Sequence, residues 1–346
     1  MTTPLTPPAA EVRTELDERA GDAQRKARRA WWLRIGIAVA GFIVLVIVIN
    51  AFTSGHFLTI GNVSNVLRQI TFTCVSAVGE TFVIITGGID LSVGSIMGLA
   101  GVVMGLFANA VPLDNGPLLF IATMIVGIAV GSAAGYINAV PVVRLNLPPF
   151  ITTLAMLQIA RGLAFILAHG QPIPLATTAF NGLGTGELFG QIPYAVVLML
   201  AVVVVFAIVL TRTRFGRYTF ALGGNEEAAR LAGINTRRTK TLVYVISGAL
   251  AAVAGLILLA RFGSAAPQTG LGYELNVIAA VVVGGTSLTG GRGSIVGTFF
   301  GALLIGVLDN VMNLLNIESY TQQIVLGAVI LLAVIVDELR KRLLAR

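Results

Sequence analysis

Side chains able to do covalent or metal chemistry are scarce in this sequence. It holds two histidines, His56 and His169, and one cysteine, Cys74. A single cysteine excludes an intramolecular disulfide and any cysteine-based zinc site. Two histidines are too few for a metal centre unless carboxylates join them from distant loops. No Gly-x-Ser-x-Gly elbow is present to build a serine nucleophile. The lysines Lys26, Lys240 and Lys341 follow Arg25, Thr239 and Arg340, so the chain has no Gly-x-x-x-x-Gly-Lys phosphate loop. ATP, if it is used, is hydrolysed by another subunit. The expectation is a chain with no catalytic, cofactor-binding or metal-ligating residues.

The remaining candidates are ionisable groups inside apolar stretches: Glu80, Asp309 and Arg161. Such groups are functional candidates by default, because exposing them to lipid is costly. Glu80 lies among Thr71, Thr73, Ser76, Gly79 and Thr81, so a packed, hydrogen-bonded role is an equal alternative to a functional one. An ion-coupled transporter would use some of these groups. An intramembrane enzyme would need His56, His169, Glu80 and Asp309 to converge on one cavity.

The elements that must position these residues follow from composition. Of 346 residues, 56% are apolar and 11% charged, against about 25% charged in soluble domains. Mean hydropathy is +0.89. So little charge cannot cover a soluble exterior, which points to lipid as the solvent. Ten spans are predicted near 31–52, 64–86, 94–111, 117–140, 150–168, 191–210, 239–260, 275–288, 294–316 and 320–336. The eighth is short and flanked by glycine, as a partial or broken helix would be. The first is too long, and its charged leader too long, for a signal peptide. The predicted domains are a polar cytoplasmic tail (1–30), expected to be disordered, one transmembrane domain (31–340) containing a loop at 211–238, and a cytoplasmic tail (341–346).

Lys and Arg set the orientation. With both termini cytoplasmic, twenty lie inside, among them seven between spans six and seven (Arg212, Arg214, Arg217, Arg230, Arg237, Arg238 and Lys240). Only Arg68, Arg161 and Arg261 remain outside. That split is a strong positive-inside signal. It also explains the net charge of +7 without nucleic acid.

A Gly-rich segment occurs twice. Gly87-Gly88-Ile-Asp90-Leu-Ser92-Val-Gly94-Ser95-Ile-Met-Gly98 recurs as Gly284-Gly285-Thr-Ser-Leu-Thr289-Gly-Gly-Arg-Gly293-Ser294-Ile-Val-Gly297. The copies start 197 residues apart, with a two-residue insertion in the second. Both follow an apolar segment and open the next one, as in duplicated transporter halves; chance similarity between Gly-rich turns is the alternative. Glycine permits the tight turn and Ser or Thr caps the helix that follows. Asp90 is expected at that helix N-terminus, a capping role preferred here to a transport role.

The loop between spans six and seven carries a compact helix signal. Asn225 is a good N-cap. Glu226 and Glu227 complement the helix dipole and Arg230 lies in the last turn. Gly233 is a natural C′ residue. A helix of about seven residues is too short to stand alone, so the segment reads as a docking element or as a surface helix lying on the membrane.

Four separated motifs carry a resemblance. Gly-Gly-Asn-Glu-Glu-Ala-Ala-Arg-Leu-Ala-Gly-Ile-Asn (223–235) resembles the coupling segment of ABC importer permeases for sugars, of the ribose/xylose/galactose type. Thr-Gly-Gly-Ile-Asp-Leu-Ser-Val-Gly-Ser-Ile (86–96), Pro-Pro-Phe-Ile-Thr-Thr-Leu-Ala-Met-Leu-Gln-Ile-Ala-Arg-Gly-Leu-Ala (148–164) and Ala-Val-Val-Val-Gly-Gly-Thr-Ser-Leu-Thr-Gly-Gly-Arg-Gly-Ser (280–294) are similar to other parts of the same family. The resemblance covers about residues 35–340. It implies an all-α polytopic fold like that of the vitamin B12 importer permease, with about ten helices in two related halves. It implies two copies forming a pore, an ATP-binding subunit with two nucleotide-binding modules, and a periplasmic sugar-binding protein. Gly224, Asn225, Glu226, Glu227, Ala228, Arg230, Leu231 and Gly233 would contact the ATPase. Candidate path residues are Glu80, Asn138, Gln158, Asn276, Asp309, Asn310 and Asn313. Gly87, Gly88, Asp90, Gly284 and Gly285 are the structural turns. Relatives often have Asn-Asn where this chain has Asp309-Asn310, so Asp309 is expected to face the pore or a polar neighbour. The same architecture could carry nucleosides, branched-chain amino acids or autoinducer-2.

Overall fold

The computed structural model describes residues 47, 50–51, 53, 55–112 and 115–344. The tail at 1–30 and nearly all of the expected first span lie outside the described residues. The chain divides into two units, Met1–Thr59 and Ile60–Arg346. In the first, Asn50 Oδ1 accepts from the Leu58 amide at 3.1 Å and His56 Nδ1 lies 2.9 Å from the Thr53 carbonyl.

The second unit is a helical bundle. Its long helices are α1 (Ile60–Ile85), α2 (Val93–Ala110), α3 (Gly116–Arg144), α4 (Pro149–Leu167), α6 (Tyr194–Arg212), α9 (Thr236–Phe262), α11 (Ile295–Leu314) and α12 (Ser319–Leu344). Short helices are α5 (Asn181–Thr185), α7 (Arg214–Gly224), α8 (Glu226–Leu231) and α10 (Tyr273–Val283). Among the described residues, seven helices are long and apolar enough to cross a membrane. The broken eighth span is α10, eleven residues long. Within the stretch read from sequence as loop, residues 211–212 extend α6 and Arg214–Gly224 form α7, capped by the Thr213 hydroxyl on the Gly216 amide at 3.2 Å.

Polarity runs inward. Every residue of α1 from Ile70 to Ile85 is buried, including Thr71, Thr73, Ser76, Glu80 and Thr81. Such a helix belongs at the centre of a bundle, where neighbours rather than lipid meet its polar groups. The strongly apolar α6 is mostly exposed, and the apolar window of α12 has no buried residue. α3 crosses α9 through small residues, with Gly131 against Gly248 and Gly135 against the Tyr244 carbonyl. Close backbone approach is what holds helices together where burial gives little advantage over lipid.

Two ends can be distinguished. One, the basic end, carries α7, α8 and the turns after α1 and α10. The other is closed by short pairs: β1 (Ile173–Pro174) with β4 (Ser264–Ala265), and β2 (Glu187–Leu188) with β3 (Ile192–Pro193). Between Phe262 and Tyr273 the chain is largely irregular, with Gly263, Gly270 and Gly272 at positive φ. Arg161 Nη1 holds that segment by donating to the Pro267 and Thr269 carbonyls, both at 2.7 Å.

The repeat shifts register. α1 ends on Gly87 at φ +78 and α10 on Gly285 at φ +87. The equivalent bonds run from Gly87 to the Ile84 carbonyl and from Gly285 to the Val282 carbonyl, each 2.9 Å. Gly87 therefore matches Gly285, one position beyond the sequence alignment, because a helix stops at the residue that turns left-handed. Gly284 stays in the helical region. α2 starts six residues after Gly87 and α11 ten after Gly285, so the stretch between the left-handed glycine and the next helix is four residues longer in the second copy. Ser294 caps α11 through the Gly297 amide at 3.3 Å. Ser92 makes no such cap.

Candidate substrate cavity and coupling segment

A cavity of about 330 Å³ opens between α1, α10 and α11. That volume lies at the lower end of the roughly 300–1,000 Å³ typical of small-molecule pockets. α1 contributes Asn65, Gln69, Phe72 and Thr73, which share one face because their spacing follows the helical period. α10 contributes Tyr273 and Asn276, and α11 contributes Ile305, Gly306, Asp309 and Asn313. Arg261 and Phe262, at the end of α9, complete the wall. Phe72 and Tyr273 stack with ring centroids 5.0 Å apart and planes 19° from parallel. Aromatic carbon stands beside amides, the Thr73 and Tyr273 hydroxyls, the Asp309 carboxyl and the Arg261 guanidinium, so the wall offers both donors and acceptors to a small polar ligand.

The sequence-derived path residues separate into four groups. Asn276, Asp309 and Asn313 line the cavity. Asn310 is engaged elsewhere, exchanging two amide bonds of 2.9 Å with Asn62. Glu80 and Asn138 belong to a buried network: Glu80 Oε1 accepts from the Asp90 amide at 3.0 Å, and Asn138 Nδ2 donates to Ser92 Oγ at 2.8 Å. Gln158 stands on the exposed side of α4.

Asp90 lies ahead of α2 rather than in its first turn. Its carboxylate accepts from the Ser92 amide at 2.9 Å, from the Ser92 hydroxyl, and from the Ser247 hydroxyl at 3.1 Å. It therefore ties the α1–α2 turn to α9 and is wholly buried. Gly88 packs so closely that a Cβ there would lie 2.6 Å from the Tyr244 hydroxyl.

Sequence reasoning missed Asn65, Gln69, Phe72, Arg261 and Tyr273. For the α1 residues a signal existed: Asn65, Gln69, Thr73, Ser76 and Glu80 form a polar stripe at helical spacing along an apolar helix. Arg261 and Tyr273 reach the cavity only through the tertiary fold.

At the basic end, α8 is six residues long and strongly fixed. The Asn225 side chain accepts from the Ala228 amide at 2.9 Å. Arg230 grips Glu227 through two bonds of 2.6 and 3.1 Å, which holds the Glu227 carboxyl below its ordinary pKa. Lys240 of α9 reaches Glu226 at 2.6 Å. The helix stops on Gly233 at φ +82. Leu231 is 78% exposed, leaving an apolar side chain at the tip of a charged helix.

A family model described as branched-chain amino acid transport system / permease component matches residues 62–334. The chain is 43% identical over 310 residues to the ribose import permease protein RbsC of Escherichia coli (strain K12), covering 88% of this chain and 94% of that protein. It is 39% identical over 315 residues to the L-arabinose transport system permease protein AraH of the same strain, covering 90% and 92%. It is 38% identical over 312 residues to the fructose import permease protein FrcC of Rhizobium meliloti, covering 87% and 85%. No solved structure matches the chain. The chain therefore belongs to this family of transport-system permease components.

Proposed function

We propose that this chain is the membrane permease subunit of an ATP-driven importer for a monosaccharide of the ribose, xylose or galactose kind. It is a multi-pass protein of the bacterial inner membrane, with about ten spans in two related halves and both termini in the cytoplasm. The resemblance to the vitamin B12 importer architecture belongs to the same reading. The observation that carries it is the match, over most of the chain, to permeases named for ribose, L-arabinose and fructose. The cavity's chemistry supports that cargo. Asn65, Gln69, Asn276 and Asn313 supply amides that both donate and accept, and the Phe72–Tyr273 stack supplies an apolar face.

The chain is a transport subunit and not an enzyme. Two copies line the translocation path, and a periplasmic binding protein delivers sugar to the end that carries the cavity. An ATP-binding subunit with two nucleotide modules sits at the basic end and receives α8 and its flanks, through Gly224, Asn225, Glu226, Glu227, Ala228, Arg230, Leu231 and Gly233. ATP binding closes that subunit and biases the permease between two conformations. Asp309 faces the cavity as a hydrogen-bond acceptor for sugar hydroxyls.

The test is reconstitution in proteoliposomes. The purified chain alone is expected neither to bind nor to hydrolyse ATP. Labelled D-ribose, L-arabinose or D-fructose is expected to accumulate only when an ATP-binding subunit, a binding protein and ATP are supplied, with labelled leucine as the control for the family's general description. Uptake by the chain alone under a proton gradient would overturn the reading.

A further inference from the structure

The three helices that line the cavity share one foot at the opposite end of the bundle. α1 ends at Ile85, α10 ends at Val283 and α11 begins at Ile295. The Gly291 amide donates to the Ile85 carbonyl at 2.9 Å, joining the α1 terminus to the turn between α10 and α11. A Cβ on Gly290 would lie 2.9 Å from the Ile85 carbonyl and 3.0 Å from both the Gly223 carbonyl and the Gly87 amide. Gly293 faces the Ile85 side chain, and Gly284 faces the Gly297 backbone.

One residue of the coupling segment enters this foot. Gly223 lies in the last turn of α7, two residues before the Asn225 cap of α8. A Cβ on Gly223 would overlap both the Ile85 carbonyl oxygen and the Gly291 amide nitrogen, the two atoms of that hydrogen bond. Its neighbour Gly224 has open space, with nothing within 4 Å of a Cβ. Two adjacent glycines of one helix therefore differ sharply in what surrounds them.

We propose that Gly223 is a positioning residue that seats the coupling segment directly on the Ile85–Gly291 hydrogen bond, so that a displacement of α8 moves α1, α10 and α11 at their common foot. The inference rests on the reading of α8 as the ATPase contact. Backbone meets backbone at this point, without a flexible side chain to absorb the motion. From Ile85 to Gln69, α1 is unbroken for sixteen residues, roughly 24 Å at 1.5 Å per residue. A small shift at the foot therefore reaches the cavity wall.

The experiment uses the full complex of chain, ATP-binding subunit and binding protein in proteoliposomes. Gly223→Ala and Gly162→Ala, the latter a glycine on α4 with nothing within 4 Å of a Cβ, are each combined with Asn65→Cys for labelling of the cavity by a hydrophilic maleimide, and each is made with Asn65 intact for uptake and hydrolysis. The native Cys74 is buried. In the Gly162→Ala variant, ATP is expected to change the labelling rate as in the parent, and uptake continues. The Gly223→Ala variant is expected to retain its ATP-binding subunit and hydrolyse ATP. Its ATP-dependent change in labelling falls by about fivefold or more, the scale of an allosteric coupling, and sugar moved per ATP falls with it. Normal labelling and normal coupling in Gly223→Ala would overturn the inference while leaving the docking reading intact. Absence of any ATP response in the parent complex would overturn the docking reading itself. Should Gly223→Ala fail to accumulate, hydrogen exchange at the Gly291 amide of the unmodified complex decides: nucleotide-dependent exchange supports the inference, and unchanged exchange overturns it.

Discussion

Glu80 poses the sharpest question at the scale of one residue. It is wholly buried, one oxygen holds the Asp90 amide, and the other has no partner among the described residues. Asp90, equally buried, is occupied by Ser92 and Ser247. These contacts hold the α1–α2 turn against α9, a structural task that an amide at position 80 can perform as well as an acid. Glu80→Gln is therefore expected to keep both stability and uptake, since it preserves the acceptor and removes a buried group that is costly when charged. Glu80→Ala leaves the Asp90 amide unsatisfied and a cavity beside it, and should cost about 1–3 kcal/mol from the orphaned donor alone. Thermal unfolding of the purified variants in detergent measures the first effect, and cellular sugar uptake the second. A stable Glu80→Gln protein without uptake would assign the ionisable group to transport. The sequence could not decide this. It showed an acid in a polar stripe, but the partner that defines its task comes from the turn beyond the helix end, ten residues on.

The element that matters most outside the bundle is α8. Six residues cannot hold a helix in water unaided, so its order comes from the Asn225 cap, the Glu227–Arg230 pair and the Lys240 tie to α9. Replacing both acids, as in Glu226→Lys with Glu227→Lys, reverses the charge on its first turn, opposes the helix dipole and faces Lys240 and Arg230 with like charge. The expected result is a permease that inserts normally but no longer links ATP hydrolysis to uptake, measured as sugar moved per ATP in proteoliposomes. Unchanged coupling would tell against α8 as the contact. At this scale much was legible beforehand. Asn225, the two glutamates, Arg230 and Gly233 spell a cap, a first turn and a stop in order, and α8 forms between them. α7 was not legible, because Arg214, Arg217 and the two glycines at its end read as loop while its support comes from packing on α1, α6 and α9. The repeat was visible as composition but off by one residue, since either glycine of a pair can take the left-handed position and only the helix end selects which.

At the scale of the molecule, the cavity and the coupling segment occupy opposite ends of the same helices. The cavity face of α1 carries Asn65, Gln69 and Thr73, and the other end of α1 receives Gly223 and Gly291. If these ends serve cargo and energy input separately, damage to one should leave the other's local task intact. Gln69 is half-buried on the cavity wall, so a larger side chain there takes space from the 330 Å³ without entering the packed core. Gln69→Trp is expected to lower sugar uptake by at least about tenfold, a loss of roughly 1.4 kcal/mol in transition-state terms, because the indole fills the passage and removes an amide. The same variant should bind the ATP-binding subunit normally and keep its basal hydrolysis, since Gln69 lies some sixteen residues of helix from the foot at Ile85. The Glu226→Lys, Glu227→Lys pair should give the converse, an open cavity without ATPase control. Uptake and hydrolysis measured side by side on both variants test the separation. A Gln69→Trp protein with undiminished uptake would remove this cavity from the sugar's route and leave the coupling segment's role untouched.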